Sequence, residues 1–450
     1  MKQVYEKPVI SKLQVGLMNK YGTRSFYSKN VRTEIEGVSI DELVEKHGSP
    51  LFVFSEIKLR QKVRNLKDSF STRYPNVTIG WSYKTNYLQA ICAVMHQEGS
   101  IAEVVSEMEY QKARKMGIEG KDIIFNGPHK KPDALETAIL EGSIINVDNL
   151  DEVMKIEKIA HKLNKKVKIG IRLNMDVGIY PLWSRFGFNL ENEEALNAVK
   201  RIAGGGKLVL NGLHCHIGTF ILDSEAYAKQ VEKMVKFGYQ IEEEFGFKIE
   251  YLDIGGGFPS KSRLKGIYMP PDIVVPSIDE YAEKITGALF KHLKPGDFPE
   301  LILESGRALV DEAGYLISTV FASKRLPDGR KAYIMDAGVN LLYTSTWYKF
   351  NIEIDRETPY VNESSILYGP LCMNIDIIEE GTLLPPLSKG TRLIISPVGA
   401  YNITQWMQFI EYRPAIVMVG TKGQVDVIRE AEDLTDIERR EILPERLKLK

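Results

Sequence analysis

Short apolar or β-branched runs recur through the middle of the chain, each followed by a charged stretch with apolar residues at helical spacing. The runs fall at residues 77–83, 101–105, 123–125, 144–147, 167–173, 208–216, 249–254 and 301–303. Runs this short, bounded by turn residues, read as strands buried on both faces. Between them the spacing predicts helices at 108–116, 132–140, 150–163, 225–244 and 278–292. In the third helix Leu150, Val153, Ile156, Ile159, Ala160 and Leu163 share one face. Strand–helix alternation implies parallel strands, because a parallel neighbour is reached only by a crossover. Eight such units are the count of a closed (β/α)8 TIM barrel, and periodicity alone leaves a doubly wound open sheet as the rival.

Beyond residue 310 the rhythm changes. Short β-like runs at 331–335, 392–395, 415–419 and 425–428 are separated by Gly, Pro and Asn, which predicts an all-β domain. The expected division is α/β: an N-terminal arm over 1–48, a barrel over 49–310 and a β domain over 311–450. The arm, with β-prone pieces at 24–27 and 32–35, is expected to add strands to the β domain.

Composition narrows the function classes. The 59 basic and 60 acidic residues nearly cancel, so no nucleic-acid or membrane-surface footprint is expected. No apolar run reaches the ~18 residues that span a bilayer. The opening residues lack the apolar core of a secretory signal. The three cysteines, Cys92, Cys215 and Cys372, are too few and too odd for a disulfide framework. A cytoplasmic protein is the expectation.

In a barrel the chemistry sits at the C-terminal ends of the strands. Here those ends carry Lys84, Glu103, Asn126, Asp148, Arg172, His214 with His216 and Thr219, Asp253 with three glycines, and Glu304 with Gly306 and Arg307. Lys84 reads either as a solvated loop lysine or as an amine at the barrel mouth, its pKa lowered by burial and ready to form an imine. Gly255, Gly256 and Gly257 let backbone N–H groups approach an anion, and the loops after strands seven and eight are where barrels often hold phosphate. They do not complete a dinucleotide fingerprint. His214 and His216 share a strand face, a spacing that can bind zinc. No third ligand fits the pattern, so no metal is expected, and one ring suits stacking on an aromatic cofactor.

These motifs, with Asp336-Ala337-Gly338, Gly369-Pro370-Leu371-Cys372 and Gly399-Ala400-Tyr401, resemble in order and spacing the diaminopimelate, ornithine and arginine decarboxylase family. That family uses pyridoxal 5'-phosphate on an alanine-racemase-like barrel. The resemblance covers nearly the whole chain. It implies a Schiff base on Lys84, His216 stacked on the pyridine ring and Glu304 paired with the pyridine nitrogen. Gly256, Gly257, Gly306, Arg307, Thr219 and Tyr401 would hold the phosphate. Thr219 stands where the family usually has serine. Cys372 would reach the site from a partner subunit and return a proton after carbon dioxide leaves, so a homodimer with shared sites is implied.

The chain also departs from the diaminopimelate pattern. Met373 stands where an acid would meet the distal ammonium, and Thr344 where an arginine would meet the distal carboxylate, although Tyr348 is kept. Arg172, Asp336, Thr344, Tyr348 and Met373 are the candidate substrate residues. The Glu-Ser-Gly-Arg and Gly-Pro-Leu-Cys motifs look like decarboxylases of specialised metabolism, of which the butirosin-pathway glutamyl-carrier enzyme is one. The expected activity is therefore decarboxylation of a different amino acid, either free or carried on a carrier or peptide. Residues 5–20 resemble either a β-domain arm or the leader segment of a ribosomally made peptide. Alternatives are a true diaminopimelate decarboxylase, an amino-acid racemase on the same fold and a non-catalytic cofactor-binding regulator.

Overall fold

The computed structural model describes residues 31–267, 269–358 and 360–449. Eight parallel strands form its larger layer: β1 (Val77–Ser82), β2 (Ile101–Val104), β3 (Ile123–Phe125), β4 (Ile144–Val147), β5 (Val167–Asn174), β6 (Leu208–Cys215), β7 (Tyr251–Asp253) and β8 (Glu300–Ser305). Each pairs with its sequence neighbour, and β8 pairs back onto β1. The barrel is closed, which excludes the open sheet. All eight predicted strands are present. The five predicted helices are found at Glu107–Lys115, Pro132–Leu140, Leu150–Lys162, Ser224–Phe245 and Ile278–His292. Four of them begin where a side chain takes an orphan N–H of the first turn: Ser106, Asn149, Asp223 and Ser277.

The barrel interior is filled around one large ring. A Cβ on Gly212 would lie 1.9 Å from the Tyr251 ring, and one on Gly170 2.2 Å from its hydroxyl. These two positions are small because Tyr251 occupies the axis. Ile124 and Ile302 pack beside it. Its hydroxyl donates to Asn146 Oδ1 at 2.8 Å, which begins a polar column rising to the barrel mouth.

The second layer is a mostly antiparallel sheet. The long strand Gly314–Arg325 pairs with Lys331–Met335, Arg392–Ser396 and Leu51–Ser55, and the last of these pairs in turn with Ile416–Val419. The predicted barrel span of 49–310 needs one correction. Leu51–Ser55 is buried along its whole length in this second sheet, so the first barrel strand follows it. A buried apolar run leading into the helix Glu56–Ser71 has the same local signature in either layer. Of the arm, Val31 bridges to Ile354 and Glu34–Ile35 pairs with Val38–Ser39 in a separate hairpin. The piece at 24–27 and the leader-like stretch at 5–20 lie outside the described residues. Among the described residues no helix is long and apolar enough to cross a membrane.

Candidate active site

The strand ends converge on a cavity of about 320 Å³ at the C-terminal mouth of the barrel. Lys84, Arg172, His216, Thr219, Gly257, Glu304, Gly306, Arg307 and Tyr401 all line it. Gly256 lies just behind, its N–H donating to His216 Nδ1 at 2.9 Å. That bond leaves the ring proton of a neutral His216 on Nε2. Burial, with Arg172 and Lys84 nearby, pushes the His216 pKa down to about 3, so the ring is uncharged at neutral pH.

Lys84 differs from its expected state. Its amine donates to Glu103 Oε2 at 2.5 Å. Burial would lower its pKa, but the charges of Glu103 and Glu304 outweigh burial and raise it above the usual lysine value. From sequence alone Glu103 is noted only as the end of its strand and is given no role. It is buried and also accepts from Ser82 Oγ at 2.6 Å and Asn126 Nδ2 at 3.1 Å. The only available signal was a carboxylate ending an apolar strand, which a solvated strand end shares.

Asn126 Nδ2 also donates to Glu304 Oε1, linking the two carboxylates. Asn146 Nδ2 reaches Asn126 Oδ1 at 3.0 Å and Asp253 Oδ2 at 3.1 Å. Asp253 is buried beside Glu304, and both burial and the Glu304 charge drive its pKa well up. Glu304 goes the other way. Burial opposes its charge, yet His214, Lys84 and a hydrogen bond from Asp253 hold its carboxyl well below the usual range. The pair therefore carries one proton, on Asp253, and one charge, on Glu304.

Among the described residues the structure brings no third ligand to the His214 and His216 pair, but it gathers a different trio. His214, Asp253 and Glu304 bring one ligand atom each within 4.8 Å of one another. His216 stands outside that trio. β6, β7 and β8 are neighbours in any such barrel, but only their register, with His214 opposite Asp253, brings these three side chains together.

A phosphorylated aromatic cofactor fits this cavity. A Cβ on Gly256 would lie 2.0 Å from the Glu304 carbonyl oxygen, and one on Gly306 2.1 Å from Thr85 Oγ1. Gly257 adopts φ +97°, and a Cβ there would meet the Gly218 carbonyl at 2.5 Å. The cradle is thus open only to glycine. The Thr85 hydroxyl and His214 Nδ1 are buried without a hydrogen-bond partner among the described residues, while His214 Nε2 lies 3.5 Å from Glu304, leaving polar groups at the cavity for a ligand. Tyr401, with φ +65°, arrives from the β layer. Its N–H donates to the Thr85 carbonyl at 2.9 Å, and the Thr404 hydroxyl to the Lys84 carbonyl at 2.9 Å. The second layer is therefore fastened directly to the Lys84 turn.

Arg307 is held between the rings of Phe220, Tyr348 and Tyr401, with its guanidinium donating to the Tyr348 hydroxyl. Tyr348 passes a hydrogen bond on to Asp311 at 3.0 Å. So Tyr348 orients Arg307 and is not itself among the cavity-lining residues. Four other predicted site residues also lie off the cavity of the single chain. Asp336 accepts from Ser49, Ser318 and the Thr319 N–H. Thr344 is fully buried, its N–H and hydroxyl both on Asn402 Oδ1. Met373 and the exposed Cys372 sit on a turn that Asp376 ties to the Asp336-Ala337-Gly338 turn, through the N–H groups of Leu371 and Val339. Trp183 and Phe186, by contrast, line the cavity and were not anticipated. They lie on an irregular loop where no periodicity marks a side chain as inward.

A lysine at the mouth of a closed barrel, a neutral histidine ring, a charged glutamate and a glycine cradle fit a barrel enzyme with a phosphorylated aromatic cofactor. Residues 58–311 match the family model for the pyridoxal-dependent decarboxylase pyridoxal-binding domain. The chain belongs to the pyridoxal-dependent decarboxylases, which are carboxy-lyases. It is 32% identical to the diaminopimelate decarboxylase of Methanothermobacter thermautotrophicus, covering 92% of this chain and 96% of the relative. The crystal structure of the M. jannaschii diaminopimelate decarboxylase with L-lysine superposes with a TM-score of 0.84 at 28% identity, over 92% of this chain and 97% of that one. A Vibrio vulnificus lysine/ornithine decarboxylase shares the fold, with a TM-score of 0.72 at 23% identity over 86% of this chain and 98% of that one.

Proposed function

We propose that this chain removes the α-carboxylate of an amino acid or amino-acyl conjugate, using pyridoxal phosphate held on Lys84, and that its preferred substrate is not diaminopimelate. The observation that carries the second part is the cavity lining. Its two carboxylates, Glu103 and Glu304, are both engaged at the cofactor end, with Lys84, Ser82, Asn126 and Asp253. Among the described residues no other acid lines the cavity of the single chain to meet a distal ammonium. The replacement at Met373 points the same way. Diaminopimelate itself is the competing reading, supported by the names of the relatives.

When bound, pyridoxal phosphate supplies an electron sink for the carbanion left by decarboxylation. The chain's own residues do the rest. Glu304 would hold the ring nitrogen protonated, and the glycine cradle with Thr219, Arg307 and Tyr401 would hold the phosphate. His216 would present a flat, uncharged face. Glu103 is placed to keep a proton on the Lys84 amine or to take it when the amine must act as a nucleophile. The racemase alternative is disfavoured because a charged glutamate at the ring nitrogen favours full electron withdrawal. The regulator alternative is disfavoured because Lys84, Glu304 and Cys372 are all retained. Release of carbon dioxide from free diaminopimelate, lysine, ornithine and arginine is expected to be weak for all four, and robust turnover of any would sink the substrate claim.

We also propose a homodimer in which the exposed Cys372 completes the site of the opposite subunit as the proton donor. Cys372→Ala is expected to keep cofactor absorbance while slowing product formation. Mixed and refolded with Lys84→Ala, it should recover roughly a quarter of wild-type activity, since half the dimers are then mixed and one of their two sites is intact. No recovery, with mixed dimers shown by mass, would place Cys372 outside the site. The thiol, exposed and unpaired, fits a reducing compartment such as the cytoplasm.

A further inference from the structure

The cofactor reading accounts for most of the cavity. The glycine cradle takes the phosphate, Glu304 the ring nitrogen, His216 the ring face and Lys84 the imine. What remains of the lining is a wall of Val105, Pro128, Arg172, Trp183 and Phe186. A substrate side chain that extends from the cofactor within this subunit meets this wall.

Trp183 dominates it. Its ring stands edge-on to His216, with centroids 5.0 Å apart and planes at 68°. A Cβ on Gly218 would lie 3.6 Å from Trp183 Nε1, so the indole also roofs the turn that leads to Thr219. Phe186 lies 6.0 Å away, and the Arg172 guanidinium sits 4.5 Å over the Phe186 ring. The loop bearing both rings is anchored at its base and open at its tip. Asn174 Nδ2 donates to the Phe186 and Gly187 carbonyls at 2.8 and 3.0 Å, the Gly187 N–H donates to Asp148, and Lys233 donates to the Asp176 carbonyl at 2.7 Å. Tyr180, at the tip, is 70% exposed. The loop therefore holds a large ring at a fixed place over the cofactor end without that ring being part of the buried core.

We propose that Trp183 is a specificity-determining residue, limiting the bulk of the side chain that a substrate amino acid may carry. The proposal rests on the pyridoxal-dependent reading of the site and deepens it. Removing an indole from a cavity wall opens space that a larger ligand can fill, whereas a small ligand gains nothing from it. Discrimination by fit in an apolar pocket is worth roughly tenfold to two-hundredfold for a change of one methylene, so the effect of an indole is measurable.

The test needs no turnover. The probes are reduced phosphopyridoxyl conjugates of alanine and of phenylalanine, titrated into cofactor-free full-length protein and followed by fluorescence. Wild type, Trp183→Ala and Trp183→Phe are compared, with circular dichroism to confirm folding. The Kd ratio of the phenylalanine to the alanine conjugate should fall at least about tenfold in Trp183→Ala, with Trp183→Phe in between. The alanine conjugate should bind all three proteins alike. A ratio unchanged in both variants, or an equal weakening of both conjugates, would overturn the proposal, the second outcome leaving Trp183 a merely structural role. Failure of wild type to bind either conjugate, or pyridoxal phosphate itself, would instead overturn the cofactor reading beneath it. Should Trp183→Ala not fold, the same ratio in Trp183→Phe decides the matter.

Discussion

Lys84→Ala is expected to lose the visible absorbance of the cofactor-loaded protein and to lower turnover by roughly a thousandfold or more. Among the described residues the amine is the sole cation paired with Glu103, and it is the only lysine lining the cavity. Its removal has two separable consequences. The first is chemical, because no other amine is placed to hold the cofactor covalently. The second is electrostatic, because Glu103 is left as a buried carboxylate with only Ser82 and Asn126 as donors. Lys84→Arg separates them. It keeps a cation beside Glu103 but cannot form an imine, so it should match the alanine variant in turnover and absorbance while keeping closer to wild-type thermal stability. Adding Glu103→Gln to Lys84→Ala should recover stability without activity. A Lys84→Arg protein with a wild-type absorbance band would mean that another lysine holds the cofactor.

The strand ends that carry Lys84, His216, Glu304 and the glycine cradle were legible because a parallel strand buried on both faces is a nearly unbroken apolar run, and the residue that breaks it marks the barrel mouth. What lay beside each strand end was not legible. Glu103 serves the site because β2 pairs with β1, and its ion pair with Lys84 spans 19 positions. The trio of His214, Asp253 and Glu304 depends likewise on the register of β6, β7 and β8. Leu51–Ser55 could not be assigned to the right layer, since burial on both faces looks the same in a barrel and in the middle of a second sheet. The strand Gly314–Arg325 was missed for the opposite reason. Its first half is buried, its second half is charged and exposed, and no single period covers it. Thr344 is the clearest case of a position read too directly. As a substitution in a motif it marked the substrate, but in the fold it is spent on Asn402, so the substitution alters the support of the site and not its surface.

Glu304→Gln is expected to leave the cofactor bound while lowering kcat by roughly a hundredfold to a thousandfold, the scale of losing one preorganised charged partner. The effect depends on which carboxyl of the buried pair is charged. Asp253 sits deeper and is bonded to Asn146, so burial drives it to keep its proton. Glu304 faces the cavity, with His214 Nε2 at 3.5 Å and the Lys84 amine nearby holding its carboxyl well below the usual range, so it stays ionised. A charged acceptor there can hold a proton on a ring nitrogen, which makes the ring a strong electron sink. An amide keeps the shape and the Asn126 contact but cannot fix that proton. The loss should therefore appear in kcat rather than in KM or in cofactor affinity, because the ring charge matters most in the transition state. Asp253→Asn gives the contrasting result. Its side chain is already uncharged, so an amide that donates to Glu304 loses only the hydrogen bond that one oxygen accepts from Asn146 or Gly255, and the cost in kcat should be smaller than that of Glu304→Gln. Equal losses in the two variants would mean that the pair acts only through packing, and full kcat in Glu304→Gln would remove Glu304 from the chemistry altogether.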